Sequence, residues 1–334
     1  MYNLAVFIGR FQPFHNGHQA IIDEALAMAD RVLILIGSAY EPRSLRNPWF
    51  FDEREAMIRS CYTAEENARI ICEPIIDIRY NDAMWISQVQ KAVLDHQQSP
   101  QDKITLVGHK RNGTGYYTNL FPQWGNIGID VDEPATATQI RDELFRGHYN
   151  HDAMPEPIAA SMKQFMATEP GKTLQQEYDF IQKYKKGWEN VPFEPTHVTV
   201  DAVVIQSGHV LLVKRNALPG KGLYALPGGF IHAEETLLNA MVRKLKEETQ
   251  IKVPPPVLMG SVKNQFVFDA PFRSARGRTI THAFHLELRN EESLPKIKGN
   301  GESGNCFWLP LAELNSTEMF EDHYFIIQKM LGMI

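Results

Sequence analysis

Only three cysteines, Cys61, Cys72 and Cys306, occur in 334 residues. Their odd number and wide separation exclude both a disulfide framework and a paired-cysteine zinc site, and point to a reducing compartment. No stretch approaches the ~18 consecutive apolar residues of a membrane-spanning helix, and residues 1–8 carry no basic segment ahead of an apolar core. A cytoplasmic protein without membrane contact is expected. Charge of one sign is also scarce: the formal net charge of −6 at pH 7 argues against a broad nucleic-acid surface, yet leaves room for a local basic pocket that takes phosphates. Small substrates, and no nucleic acid, are therefore expected. Internal repeats and low-complexity tracts are missing too. With 43% hydrophobic and 22% charged residues, the composition is that of a folded globular chain, and its length predicts two domains.

The apolar run 4–8 reads as a buried strand. A Gly-containing turn follows, then an amphipathic helix that carries Ile21, Ile22, Ala25, Leu26 and Met28 on one side. A second apolar run, 32–36, comes at once, which is the order of a βαβ unit. Runs at 70–72, 104–107 and 127–131 continue the alternation, with helical patterns near 53–61 and 83–95 between them. The pattern predicts an α/β, doubly wound parallel-sheet domain. Two more helices are expected near 158–166 and 174–188, and a Pro-interrupted stretch at 190–195 sets the boundary between domains 1–189 and 190–334. Beyond it, alternating apolar residues at 198–205, a turn at 206–209 and the run 210–213 predict a hairpin that opens an α+β domain.

The segment Gly9-Arg10-Phe11-Gln12-Pro13-Phe14-His15-Asn16-Gly17-His18 joins the first strand to the first helix. In an open α/β sheet this is the edge where ligands bind, and free amides at a helix start favour phosphate. The segment resembles the signature of the nucleotidylyltransferase superfamily, which implies that His15, His18, Gly9, Arg10, Phe11 and Gly17 serve ATP. A phosphate nucleophile is already ionised at neutral pH, so neither imidazole is needed as a base. Hydrogen bonds to the α-phosphate as charge builds in the transition state are the expected contribution. Ala135-Thr136-Ala137-Thr138-Gln139-Ile140-Arg141 looks like the second phosphate motif of the same superfamily, with Thr136 and Thr138 offering hydroxyls and amides and Arg141 reaching the β- and γ-phosphates.

Three segments bear on the second substrate. Arg43, Arg46 and Asn47 follow the second strand, where guanidinium groups could clamp a mononucleotide phosphate. Asn81 and Trp85 follow the third, and an indole face suits a pyridinium cation. Gly108-His109-Lys110-Arg111, with Tyr116 and Tyr117, ends the fourth strand and is a further nucleotide contact. These segments are similar to those of archaeal-type nicotinamide-mononucleotide (NMN) adenylyltransferases, a resemblance that covers about residues 2–170 and implies Arg46, Asn47, Asn81 and Trp85 as NMN contacts. Nicotinic acid mononucleotide would stack on Trp85 equally well. Pantetheine-phosphate and other adenylyltransferases of the superfamily stay as alternatives.

In the second domain, Gly229, Glu235, Arg243, Glu247 and Glu248 match the spacing of the Nudix box, in which a loop and helix hold divalent metals against a diphosphate. Arg243 and Glu247 also stand at helical i, i+4 spacing, and adjacent carboxylates suit Mg²⁺ or Mn²⁺. Two positions depart from the box: Lys244 replaces a glutamate and Gln250 a glycine. Arg273, Arg276 and Arg278 precede a strand in a stretch similar to that of ADP-ribose pyrophosphatases of the fused type. Glu302 stands where a late catalytic acid or base is expected, and Gly304 where the family places its own glutamate. As a whole the chain resembles the bacterial fused NMN adenylyltransferase and ADP-ribose pyrophosphatase family. That implies a parallel-sheet nucleotidyltransferase domain followed by an α+β Nudix domain, Mg²⁺ as cofactor with Mn²⁺ in the Nudix site, ATP, NMN and ADP-ribose as substrates, and a homo-oligomer. Lys244 raises an alternative for the second domain: a weakened hydrolase that binds a nucleotide as a regulatory module.

Overall fold

The computed structural model describes residues 1–110, 120–131, 135–149, 151–300 and 305–334. Contacts divide the chain into two compact units, Met1–Gln175 and Gln176–Ile334. This division falls inside a helix, α7 (Glu169–Lys186), rather than at the Pro-interrupted stretch. The helix also starts earlier than its apolar pattern suggests. Pro170 sits in the first turn, where its missing N–H costs nothing, and the Thr168 hydroxyl accepts the Gly171 N–H at 3.2 Å.

The first unit is built on β1 (Tyr2–Gly9), β2 (Ala29–Ile36), β3 (Ile70–Pro74), β4 (Ile104–His109) and β5 (Gly125–Ile129), in spatial order β3-β2-β1-β4-β5 with every pair parallel. Helices α1 (Asn16–Met28), α2 (Phe51–Arg59), α3 (Ala64–Asn67), α4 (Asp82–His96), α5 (Ala137–Phe145) and α6 (Glu156–Ala167) complete it. The strand order reverses between β1 and β4, so their carboxyl ends flank the crevice where such sheets bind ligands. Leu4, Val6, Leu33, Leu35 and Leu106 of the sheet meet Val89 and Val93 of α4 in one core.

The second unit holds β6 (His197–Gln206), β7 (His209–Lys214), β8 (Tyr224–Ala225), β9 (Gly228–Phe230), β10 (Val262–Phe268), β11 (Thr279–Glu287) and β12 (Cys306–Pro310), with α8 (Leu237–Thr249), α9 (Pro255–Gly260) and α10 (His323–Met330). Its main sheet runs β10-β11-β6-β7-β12, β8 pairs with β7, and β9 pairs with β6. The expected hairpin is β6 and β7, closed by Ser207 and Gly208, both at positive φ as a two-residue turn of this hand requires. The apolar stripe of α8, Ala240, Met241 and Leu245, covers Val200, Ala202 and Val204 of β6 and Phe284 and Leu286 of β11. Gln250 caps α8 in the left-handed conformation, φ 44°, so the backbone shape that glycine favours at this position survives the change of residue.

A buried ion pair anchors α10. Arg273 donates two hydrogen bonds to Asp322, at 2.9 and 2.7 Å, with both side chains almost wholly removed from solvent. Removing one partner strands the other charge, so Asp322→Ala is expected to destabilise the unit by about 3–5 kcal/mol. Replacing both residues, as Arg273→Met with Asp322→Leu, should cost markedly less. Urea unfolding of the three variants measures this, and equal losses in the single and double variants would contradict it.

Candidate active sites

Gly9 closes β1, and a Cβ there would lie 2.9 Å from the ring of Phe11. Phe11 is buried and turns the chain with φ 52°. His15 stands at the N-cap of α1 in extended conformation, which brings its ring onto that of His18: the centroids are 3.7 Å apart at 28°. Phe7, Phe11 and Phe14 surround His18 at 4.8 to 6.0 Å. Burial lowers the His15 pKa to about 4. Burial, then the neighbouring His15 and Arg10, lower that of His18 well below its ordinary value. Both rings are neutral at neutral pH. The buried Nδ1 of His18 has no hydrogen-bond partner among the described residues.

The two rings line a cavity of about 400 Å³ together with Gly9, Gly108, Thr136 and Thr138. Gly17 is buried in the first turn of α1. His109 also lines the cavity, and its Nε2 lies 3.0 Å from the Val131 carbonyl. Thr136 is engaged as the cap of α5: its Oγ1 accepts the Gln139 N–H at 3.3 Å, and its own N–H donates to Gln139 Oε1 at 2.8 Å. Thr138 Oγ1 accepts a hydrogen bond from Arg141 at 3.2 Å. Arg141 also donates to the Gln12 carbonyl at 2.5 Å, which ties the two phosphate-type motifs together. Burial, then Arg10 and Arg46, lower the Arg141 pKa to about 9, and burial, then Arg10 and Arg79, lower that of Arg46 to about 10. Four guanidinium groups, those of Arg10, Arg46, Arg79 and Arg141, thus act on one another, an arrangement that an added anion would relieve.

Asn47 bridges this cluster: it accepts from Arg10 at 3.3 Å and donates to Glu41 at 2.8 Å. Glu41 in turn pairs with Arg79 at 2.9 Å. Arg43 is engaged elsewhere. It holds Glu53 at 2.7 and 2.8 Å and the Pro48 carbonyl at 2.6 Å, so the phosphate clamp expected of Arg43 is taken up by α2. Asn81 caps α4 by accepting the Met84 N–H at 3.2 Å, and the half-buried Trp85 one turn on meets Phe121 at 6.1 Å. Arg111, Tyr116 and Tyr117 lie outside the described residues. The sequence reading leaves Arg54, Asp77, Glu41 and Arg79 unassigned, although they frame the site. Asp77 accepts the Ser38 N–H at 2.9 Å and the Ser38 hydroxyl at 2.5 Å.

In the second unit, Gly229 adopts φ 153°. Glu235 accepts the His232 N–H at 2.7 Å and binds Arg243 through both carboxylate oxygens. Arg243 also reaches Glu247 at 3.2 Å and the Phe230 carbonyl at 3.3 Å, so it fastens the box loop onto α8. The hydrogen bond from Arg243 holds the Glu235 carboxyl at about 2. Glu248 accepts the Gly228 N–H at 3.1 Å. Burial pushes its pKa up to about 7, against the opposing pull of that bond and of Lys244. Lys244 itself lies 3.2 Å from Glu247. No group of three His, Cys, Asp or Glu side chains able to hold a metal occurs among the described residues. The half-buried carboxylate of Glu248, next in sequence to Glu247, nevertheless suits a cation.

The three arginines expected at one anion site have separate partners. Arg273 belongs to the buried pair with Asp322, which corrects its assignment as a ligand contact. Arg276 lies over the Phe230 ring at 5.3 Å and 3.9 Å from Glu321. Arg278 donates to the Asp269 carbonyl and lies 3.8 Å from its carboxylate. Glu302 and Gly304 lie outside the described residues. No helix among the described residues is long and apolar enough to cross a membrane.

Comparison with known proteins assigns both units to families. A cytidylyltransferase-like family model matches residues 6–141, and a NUDIX domain model matches residues 195–330. A nicotinamide/nicotinic acid mononucleotide adenylyltransferase of Acinetobacter baylyi is 38% identical over 178 residues, 53% of this chain and 94% of that protein. An ADP-ribose pyrophosphatase of Methanocaldococcus jannaschii is 38% identical over 91 residues, 27% of this chain and 50% of its own length. The crystal structure of a bifunctional NMN adenylyltransferase/ADP ribose pyrophosphatase from Francisella tularensis superposes with a TM-score of 0.94 at 36% identity, covering 99% of each chain. The same Francisella protein has been crystallised with AMP and a manganese ion. With an adenylyltransferase domain in the first unit and a Nudix domain in the second, the chain belongs to the family of bifunctional NMN adenylyltransferases/ADP-ribose pyrophosphatases.

Proposed function

We propose that the first unit joins NMN to ATP. The NMN phosphate attacks the α-phosphorus in line, the bond to the β-phosphate breaks, and NAD and pyrophosphate leave. The stacked neutral pair of His15 and His18 on one cavity carries this reading. Because the nucleophile is already ionised, the imidazoles have no proton to take, and as neutral N–H donors they stabilise charge growing on the α-phosphoryl oxygens. Arg141 takes the β- and γ-phosphates, and ATP enters as its magnesium complex. Gly9, Phe11, Gly17, Gly108, Thr136 and Thr138 shape the ATP cleft. Arg10 serves ATP, and Arg46 and Asn47 hold the mononucleotide phosphate in our reading, while Asn81 and Trp85 receive its pyridinium ring.

The second unit, on this reading, adds water across the diphosphate of ADP-ribose and releases AMP and ribose 5-phosphate. Glu247 and Glu248 would hold Mg²⁺ or Mn²⁺, which when bound neutralises the diphosphate and activates water. Glu235 and Arg243 keep the box loop on its helix, and Arg276 and Arg278 would turn to the diphosphate when the ligand binds. The position of Lys244 favours a second reading, in which hydrolysis is weak and the unit acts as a nucleotide-binding regulatory module. The protein is cytoplasmic and homo-oligomeric in this proposal, with small molecules as its only substrates.

A substrate panel tests the first activity: ATP with NMN, nicotinic acid mononucleotide and phosphopantetheine in turn. Dinucleotide formation with a pyridine mononucleotide is expected, and turnover with phosphopantetheine alone would overturn the assignment. His18→Ala should lower kcat by about 10²–10³-fold, the usual effect of losing a transition-state donor, with the unfolding curve little changed; near-normal turnover removes the role given to the pair. AMP release from ADP-ribose separates the two readings of the second unit.

The histidine pair also sets a pH dependence. Its folded pKa lies below the unfolded value near 6.5, so the unfolded chain binds more protons between the two, and stability that is full above pH 6.5 is lost as the pH falls. For His15, held at about 4, the loss between pH 8 and pH 5 is ~2 kcal/mol. Urea unfolding of the ligand-free protein at both pH values, native against His15→Gln, measures it. A variant with the same pH slope as the native protein would contradict the assignment.

A further inference from the structure

Lys244 occupies the place where the Nudix box carries a glutamate, and the surroundings of its ammonium are unusually well defined for a lysine. The residue lies on α8 three positions before Glu247 and four before Glu248, on the same face of the helix. Its Nζ is 3.2 Å from Glu247 Oε2, and the side chain is only 24% exposed. The stem runs along the box loop: a Cβ on Gly229 would stand 3.1 Å from Lys244 Cε and 3.7 Å from Nζ. Gly229, at φ 153° and without a side chain, is what lets the ammonium lie at the junction of loop and helix. Arg243 and Glu235 neutralise each other beside it. Asp201 and Arg215, which act on Glu248 with opposite signs, offset each other, and the formal charges that remain are those of Glu247, Glu248 and Lys244, a net of one negative charge where a box with glutamate at this position would hold three. One divalent cation more than balances the first set, whereas the second accommodates two.

We infer that the ammonium of Lys244 stands in for one divalent cation at the Nudix site, so that the protein binds one fewer such ion there than a variant with glutamate at this position, and that Lys244 contacts the ligand's diphosphate directly. The contact with diphosphate rests on the proposed binding of ADP-ribose at the box; the ion count does not. It accounts for two features together. The site lacks a third carboxylate among the described residues, yet the loop and helix are fastened as a Nudix box requires. A fixed ammonium supplies charge to a diphosphate oxygen through hydrogen bonds, as a bound ion would through coordination.

Mn²⁺ binding followed by electron paramagnetic resonance, on the full chain without substrate, tests the count in native protein, Lys244→Met and Lys244→Glu. Methionine keeps an unbranched stem against Gly229 and removes only the charge. Lys244→Glu is expected to bind one more Mn²⁺ per chain than the native protein, and Lys244→Met the native number about tenfold more tightly. In EDTA, Lys244→Met should bind ADP-ribose about tenfold more weakly than the native protein, the effect of losing one charge-assisted contact. The same number and affinity of Mn²⁺ in all three proteins would overturn the inference. Should Lys244→Glu fail to fold, the native and methionine proteins decide: equal Mn²⁺ affinity and equal ADP-ribose binding overturn it. Absence of AMP release from ADP-ribose in all three proteins, with the Mn²⁺ count changing as expected, would instead defeat the hydrolase reading and leave the role of Lys244 standing.

Discussion

The geometry of the first site depends on one buried cation. Arg54, only 1% exposed, points from α2 beneath the ligand edge of the sheet and donates to the carbonyls of Arg10 and Gly37 at 2.6 Å each and of Ser38 at 3.3 Å. Because a peptide unit is planar and its N–H opposes its C=O, each carbonyl drawn toward Arg54 turns the following N–H away from it. The Ser38 N–H turned in this way is the one that binds Asp77. The Phe11 N–H is turned likewise, in the segment that leads to His15. Burial lowers the Arg54 pKa to about 10, so the group keeps its charge at neutral pH. A planar fork of donors satisfies several carbonyls at once, which a lysine could not do from the same position.

Arg54 also marks the limit of what the chain discloses by itself. In the run Phe51–Arg59 it stands among Asp52, Glu53 and Glu55, and periodicity reads such a residue as part of a solvated face. Only the approach of three distant carbonyls makes it interior. The same holds for Arg273, whose partner Asp322 is 49 residues away. His15 and His18 were legible because their placement together rests on local geometry: a strand end, a tight turn and a helix start within ten residues. The parallel sheet was legible because its buried strands form continuous apolar runs separated by helices. Thr136 was legible as to place but not as to its immediate partner, since a helix cap and a phosphate ligand call for the same residue in the same position. Gln250 shows the converse, a departure in residue type that leaves the backbone conformation unchanged.

The two sites solve the problem of binding phosphates in opposite ways. In the first, burial and then the neighbouring Arg10 guanidinium lower the pKa values of Arg46 and Arg141, so positive charge is held in place ahead of a ligand and an arriving phosphate would relieve it. In the second, Glu235 is matched by Arg243 and Glu247 by Lys244, so the carboxylate of Glu248 is the formal charge of the box left over. A preassembled cationic site gains from an incoming triphosphate directly, through charge already desolvated. A site left with one carboxylate must gain its affinity from a cation that arrives with the ligand, or from a lysine already there. The residue that sets this balance is a single side chain on α8, held where it is by a glycine in the facing loop, so the electrostatic character of the second site follows from packing as much as from charge.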